Sequence, residues 1–303
     1  MTAHGAERDA AREGAAPAEG RGWLGYALAA TALWGVWGAF IEIPEKAGFP
    51  ASLGYTVWSL TMIPCAAFAL GRVGWKVHRG ARDIALGASA GLLGAAGQLI
   101  LFETLRLGPA YLVFPVVALY PLVTVILAYT LLRERVSRRS WTGVALAVVA
   151  LPMLARQEPS GQAAQTKLWL LLTLAVFLMW GVQGYVFKLA NLAMSAESLF
   201  FYMMASGVAL IPVALAMTDF TQAINWGLSG PWAAVLIQSL NSLGALLLVY
   251  AVRYGKAVVV VPMAALAPVL TVLLSLGIYR VIPHPVVITG MVAAAAAMVL
   301  MAE

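Results

Sequence analysis

The feature that most constrains this chain is a series of apolar runs, each about 20 residues long, that recur along nearly its whole length. A helix of that length crosses a hydrocarbon core of roughly 30 Å. Ten spans are read, at about 22–41, 52–71, 84–105, 110–132, 141–155, 168–190, 196–217, 231–252, 257–279 and 284–301. The fifth and tenth are short, and the tenth is only weakly apolar because Met291 to Met298 is mostly alanine. In lipid, backbone polar groups must be satisfied within the structure, which leaves helices or a closed barrel. These runs are too long, and alternate too little, for barrel strands. With 11% charged residues against roughly 25% for a soluble domain, and a mean hydropathy of +0.88, the chain cannot cover a water-facing globule. The expected fold class is therefore all-α integral membrane.

The net charge of +6 does not imply a nucleic-acid partner, because lysine and arginine gather on the cytoplasmic side of membrane proteins. If the N-terminus is cytoplasmic, that side holds Arg8, Arg12, Arg21, Arg72, Lys76, Arg79, Arg82, Arg133, Arg135, Arg138, Arg139, Lys188, Arg253 and Lys256. The other side keeps Lys46, Arg106, Arg156, Lys167 and Arg280. The bias places both termini in the cytoplasm, and the expected location is the inner membrane of a bacterium. Residues 1–20 mix Ala, Gly and charges of both signs and read as a disordered tail. No small-residue cleavage site follows a short apolar core, so the first run is read as a retained helix. The one cysteine, Cys65, lies in an apolar run and has no internal partner for a disulfide.

The polar segment 156–167, RQEPSGQAAQTK, is the one clear linker and divides the chain nearly in half. It separates a first five-helix repeat at 21–155 from a second at 168–303. Sliding the sequence by 146–147 residues aligns Leu33-Trp34-Gly35-Val36-Trp37-Gly38 with Met179-Trp180-Gly181-Val182-Gln183-Gly184. It also aligns Arg106, Gly108, Pro115, Pro121 and Thr124 with Arg253, Gly255, Pro262, Pro268 and Thr271, Arg133 with Arg280, and Thr142-Gly143 with Thr289-Gly290. A unit with an odd number of spans enters the membrane from opposite sides in its two copies. The reading is thus ten transmembrane helices as two inverted five-helix repeats, an architecture that binds solutes near the midplane between halves. Pro115, Pro121, Pro262 and Pro268 each remove an intrahelical hydrogen bond and form a symmetric set of candidate hinges.

At these residues the sequence resembles the drug/metabolite transporter superfamily, in its ten-helix EamA-type branch. The most specific stretch is LRLGPAYLVFPVVALYPLVTVILAYTLLRERVSRRSWTGVAL, from Leu105 to Leu146. The resemblance implies a gradient-driven carrier with a central cavity formed by spans one, three, four, six, eight and nine. Spans five and ten would be peripheral. The chain departs from the family pattern at Arg280-Val281-Ile282-Pro283, where the acidic residue is missing, at Glu103, where an aromatic such as Tyr250 is expected, and at Glu42, which stands opposite Lys188. Members of the superfamily carry amino acids, nucleotide-sugars, phosphorylated sugars, choline or drugs.

Polar side chains inside a bilayer are costly and are functional candidates by default. Gln238 and Asn241 share one face of span eight, and the corresponding stripe on span three is Gly91, Gly94 and Gln98. Facing stripes would give amide donors and acceptors beside room for a ligand; equally, amides glue helices and glycines let them approach. Trp34 and Trp180 lie mid-depth, with Trp37 and its counterpart Gln183 one turn later, and their rings can hold an apolar or cationic ligand or serve as packing. Glu103 and Glu42 come late in their spans as possible coupling or outer-gate residues; Glu103 can also pair with Arg106 at the interface. No zinc-protease, P-loop or metal-cluster pattern is present, so no enzyme activity, cofactor or metal is expected. The expected function is secondary transport of a small polar or amphipathic metabolite, an amino acid or amine, by export through alternating access. A proton-coupled multidrug or cation exporter using Glu103, and a lipid flippase, stand as alternatives.

Overall fold

The computed structural model describes residues 22–108, 110–154, 156, 168–279 and 284–301. The tail at 1–20, the linker apart from Arg156, residues Arg21 and Arg280, and the side chain of Pro115 lie outside the described residues. What is described is helical, with no strand. In chain order the helices are α1 Gly22–Phe40, α2 Glu42–Lys46, α3 Ala51–Arg72, α4 Ala81–Leu107, α5 Ala110–Ala118, α6 Tyr120–Thr130 and α7 Arg138–Leu154. They continue as α8 Leu168–Ala193, α9 Ala196–Ala209, α10 Ile211–Ala216, a π-helical turn Leu228–Trp232, α11 Ala233–Tyr254, α12 Ala257–Ala264, α13 Pro268–Tyr279 and α14 Pro285–Met301.

Among the described residues, seven helices are long and apolar enough to cross a membrane, and Val116–Thr130 and Pro285–Met301 are shorter apolar ones. Large apolar side chains point outward as well as inward: Phe68, Leu171, Leu236 and Val292 are each more than 60% exposed. Large apolar side chains exposed on so many helices fit a lipid-facing wall.

Proline sets the interruptions. Its missing N–H and its ring's clash with the carbonyl four residues earlier end a helix just upstream. The chain therefore breaks at Leu119 before Pro121, at Ala265–Ala267 before Pro268 and at Leu210 before Pro212. Tighter i→i−3 bonds carry the backbone across, as from Leu122 N–H to the Leu119 carbonyl (2.9 Å) and from Leu270 N–H to the Ala267 carbonyl (3.0 Å). Pro262 is carried inside α12 without a break.

The helices of the two halves interleave. α1 packs on α11 and α13, whereas α8 packs on α4 and α6. α7 and α14 pack on each other to one side. There a Cβ on Gly143 would lie 3.0 Å from the Ala297 carbonyl, and one on Gly290 would lie 3.4 Å from the Ala150 carbonyl. Those two contacts exchange under a shift of 147 residues.

Candidate functional site

The tryptophan-glycine stretches sit at the crossings between halves, and the contacts they make come in matched pairs. Trp34 donates its indole N–H to the Asn241 carbonyl at 3.2 Å, and Trp180 donates to the Gly94 carbonyl at 3.3 Å. Each ring lies in a notch left by a missing side chain. A Cβ on Gly244 would fall 2.7 Å from Trp34 Nε1, and one on Gly97 would fall 2.5 Å from Trp180 Nε1. On the other flank of the same helices, Thr271 donates to the Gly35 carbonyl at 2.9 Å and Thr124 donates to the Gly181 carbonyl at 2.6 Å. Every member of one set maps to the other by 146 or 147 residues. Small residues let backbones approach where water provides no driving force between helices. The two tryptophans thus spend their polar edge on packing, and only their ring faces remain for a ligand.

The polar residues break the symmetry. Trp37 donates to Gln238 Oε1 at 3.1 Å, and Asn241 Nδ2 approaches the same oxygen at 3.5 Å. Gln238 is buried while Asn241 is half-buried. Among the described residues, Gln238 Nε2 and Asn241 Oδ1 make no hydrogen bond, so this corner keeps one donor and one acceptor in reserve. The counterpart of Trp37, Gln183, instead donates to the Ala90 carbonyl at 2.8 Å. The room expected beside Gly91 and Gly94 is filled by Ser206 and Gln183, since Cβ atoms there would fall 2.5 Å from Ser206 Oγ and on the Gln183 amide. The amide and glycine stripes therefore face their own neighbours and not each other. Gln98, half-buried, makes no hydrogen bond among the described residues. Tyr120 lies edge-on to Trp180 with ring centroids 6.0 Å apart; its counterpart is Ala267, and among the described residues no ring stands against Trp34 in this way.

Glu103 and Glu42 are surface groups with cations one turn away. Glu103 takes both oxygens to Arg106, one of them at 2.8 Å from Nε, and its side chain is 35% exposed. Glu42 pairs with Lys46, and its side chain is 63% exposed. Such pairs contribute about 0–1 kcal/mol.

Sequence reading missed the buried carboxylate. Glu134 is 9% exposed and accepts the backbone N–H groups of Ala257 at 3.1 Å and Val258 at 3.0 Å, capping α12 from across the halves. Lys188 Nζ lies 4.0 Å from Glu134 and donates to the Gly255 carbonyl at 2.6 Å and the Val252 carbonyl at 3.1 Å. Arg133, at φ +54°, makes the left-handed turn that brings Glu134 back so that its N–H meets the Ala128 carbonyl at 3.2 Å. A left-handed non-glycine residue costs about 1–2 kcal/mol. The signal in the sequence was an acidic residue directly before the basic loop, read there only as part of a family pattern.

Helices that cross between two repeated halves at matched glycines, with unmatched amides beside one crossing, define a duplicated helical membrane protein. The model of the EamA-like transporter family matches twice, over residues 21–156 and 167–302. The chain belongs to the EamA-like transporter family. A solved structure described as "Crystal structure of protein" superposes with a TM-score of 0.70 at 16% identity, covering 91% of this chain and 96% of its own. At that identity the likeness speaks for the fold alone. A comparison with curated proteins finds no match.

Proposed function

We propose that the chain is a secondary transporter that exports a small polar or amphipathic metabolite of amino-acid or amine type by alternating access. In this reading two inverted five-helix repeats, at 21–155 and 168–303, give ten crossings. The seven long helices are joined by α5 with α6, by α7 and by α14. Both termini face the cytoplasm, as the basic loops favour. The observation that carries the proposal is the corner of Trp37, Gln238 and Asn241. It is built at a crossing whose mechanical contacts are duplicated, yet it is itself unique to that crossing. An amide donor and acceptor beside aromatic rings suit a ligand with both a polar head and an apolar or cationic part.

Thermal-shift screening of the purified chain over amino acids, amines, sugars and nucleosides would identify ligands. Uptake of a hit into proteoliposomes then tests the site. Asn241→Ala and Trp34→Ala are expected to lower uptake at least tenfold, the cost of losing one or two buried contacts to the ligand. Uptake equal to the parent in both variants would show that the solute binds elsewhere.

A further inference from the structure

The structure assigns Glu134 and Lys188 to a latch that closes one mouth of the carrier and has no equivalent at the other; this inference rests on the transport reading above. Glu134 belongs to the first half, whereas Lys188 and the two N–H groups that Glu134 accepts belong to the second. The pair therefore joins the halves at the end where the basic loop 133–139 lies. Lys188 in turn holds the carbonyls at the end of α11, which leaves Glu134 and Lys188 between the facing ends of two helices. To open this mouth, α12 must leave α6, stranding a buried carboxylate and two N–H donors.

Packing differs between the mouths in the sense the latch requires. All eight residues of α12 are buried, and α12 packs on α6. In the equivalent helix of the first half, α5, Val113 and Val117 are buried but Phe114, Val116 and Ala118, the other side chains described there, are half-exposed. No comparable packing of α5 on α13 occurs among the described residues. The sequence shows why. By the repeat offset, Glu134 corresponds to Val281, whose residue type has no side-chain acceptor, and Lys188 corresponds to Glu42, an exposed residue paired with Lys46. The resting carrier is accordingly closed at the basic-loop end and open at the other.

Hydrogen–deuterium exchange of the full chain in nanodiscs tests this without knowledge of the solute. With Glu134→Gln, and independently with Lys188→Met, amides in 257–264 are expected to exchange about tenfold faster or more. Exchange in 110–118 is expected to slow, because mouths that alternate cannot both be open. Unchanged exchange in 257–264 in both variants overturns the latch. So does faster exchange at both mouths, which is general loosening, or a change confined to 257–264, which is local fraying. If the opposed changes occur but no solute is ever transported, the transport reading fails and the latch stands.

Discussion

Alanine at Gly35 or at Gly181 should destabilise the protein to a similar degree, because the two glycines occupy one contact used twice. A Cβ on Gly181 would run into Val123 Cβ and lie 2.8 Å from the Tyr120 carbonyl. On Gly35 it would lie 2.6 Å from Leu270 Cβ and 3.0 Å from the Ala267 carbonyl. Carbon atoms settle at about 3.5–4.0 Å, so each helix pair must part by roughly 1 Å. Backbone carbonyls and β-carbons cannot rotate away, so the pair bears the full strain. Overpacking of this kind costs about 1–3 kcal/mol. The threonine bond beside each glycine, 2.6 Å at Gly181 and 2.9 Å at Gly35, is stretched as well. Losing it adds about 1 kcal/mol. At about 2–4 °C per kcal/mol for a chain of this order of size, thermal unfolding in detergent should shift down by roughly 4–16 °C. Gly25→Ala is the control: a Cβ there meets nothing within 4 Å. It should leave stability unchanged or raise it by up to about 1 kcal/mol. If Gly35→Ala and Gly181→Ala behaved like Gly25→Ala, close approach would not be what holds the halves. If only one were harmful, the two crossings would not be equivalent.

The remaining expectations are smaller or more local. Glu103→Gln should change stability by less than about 1 kcal/mol, since it breaks an exposed pair, and should leave the pH dependence of flux intact; loss of pH-driven flux would restore Glu103 as a proton site. Thr124→Val and Thr271→Val should each lower stability by about 1 kcal/mol, read as matched shifts in thermal unfolding. Gln238→Leu removes the acceptor of the Trp37 indole and should cost about 1–3 kcal/mol, together with a loss of ligand-induced thermal shift. An unchanged ligand response in that variant would separate Gln238 from the binding corner.

How far the sequence spoke depended on the range of the physics. Apolar runs and prolines act locally, so the helices and two of the breaks, before Pro121 and Pro268, could be read from residue order. The break before Pro212 follows from the same local rule. The offset of 146–147 residues predicted which contacts recur, since Gly35 with Thr271 and Gly181 with Thr124 are one contact seen twice. Direction was not legible. Nothing in the order of residues says that Gly91 and Gly94 receive Ser206 and Gln183, because helix rotation is set by packing against neighbours. Glu134 was hidden for a related reason. Beside Arg133 and Arg135 it looks like one more loop charge, and only the approach of α12 buries it.

Symmetry and its breach divide the labour between two kinds of residue. In the alternating-access reading, identical halves would make the states open to either side equivalent by a two-fold rotation, with equal free energy and equal population. On that reading, matched glycines, threonines and the breaks before Pro121 and Pro268 would preserve the near-equality, which keeps both states within reach of a ligand's differential affinity. A bias must then come from residues present once. Hydrogen bonds to a charged group contribute about 1.5–3 kcal/mol. At about 1.4 kcal/mol per factor of ten, the Glu134 contacts can set a preference of roughly ten- to a hundredfold for one state. That preference is large enough to define a resting state and small enough for a bound solute to reverse, so selectivity and bias can evolve on the unmatched positions while the crossings stay fixed.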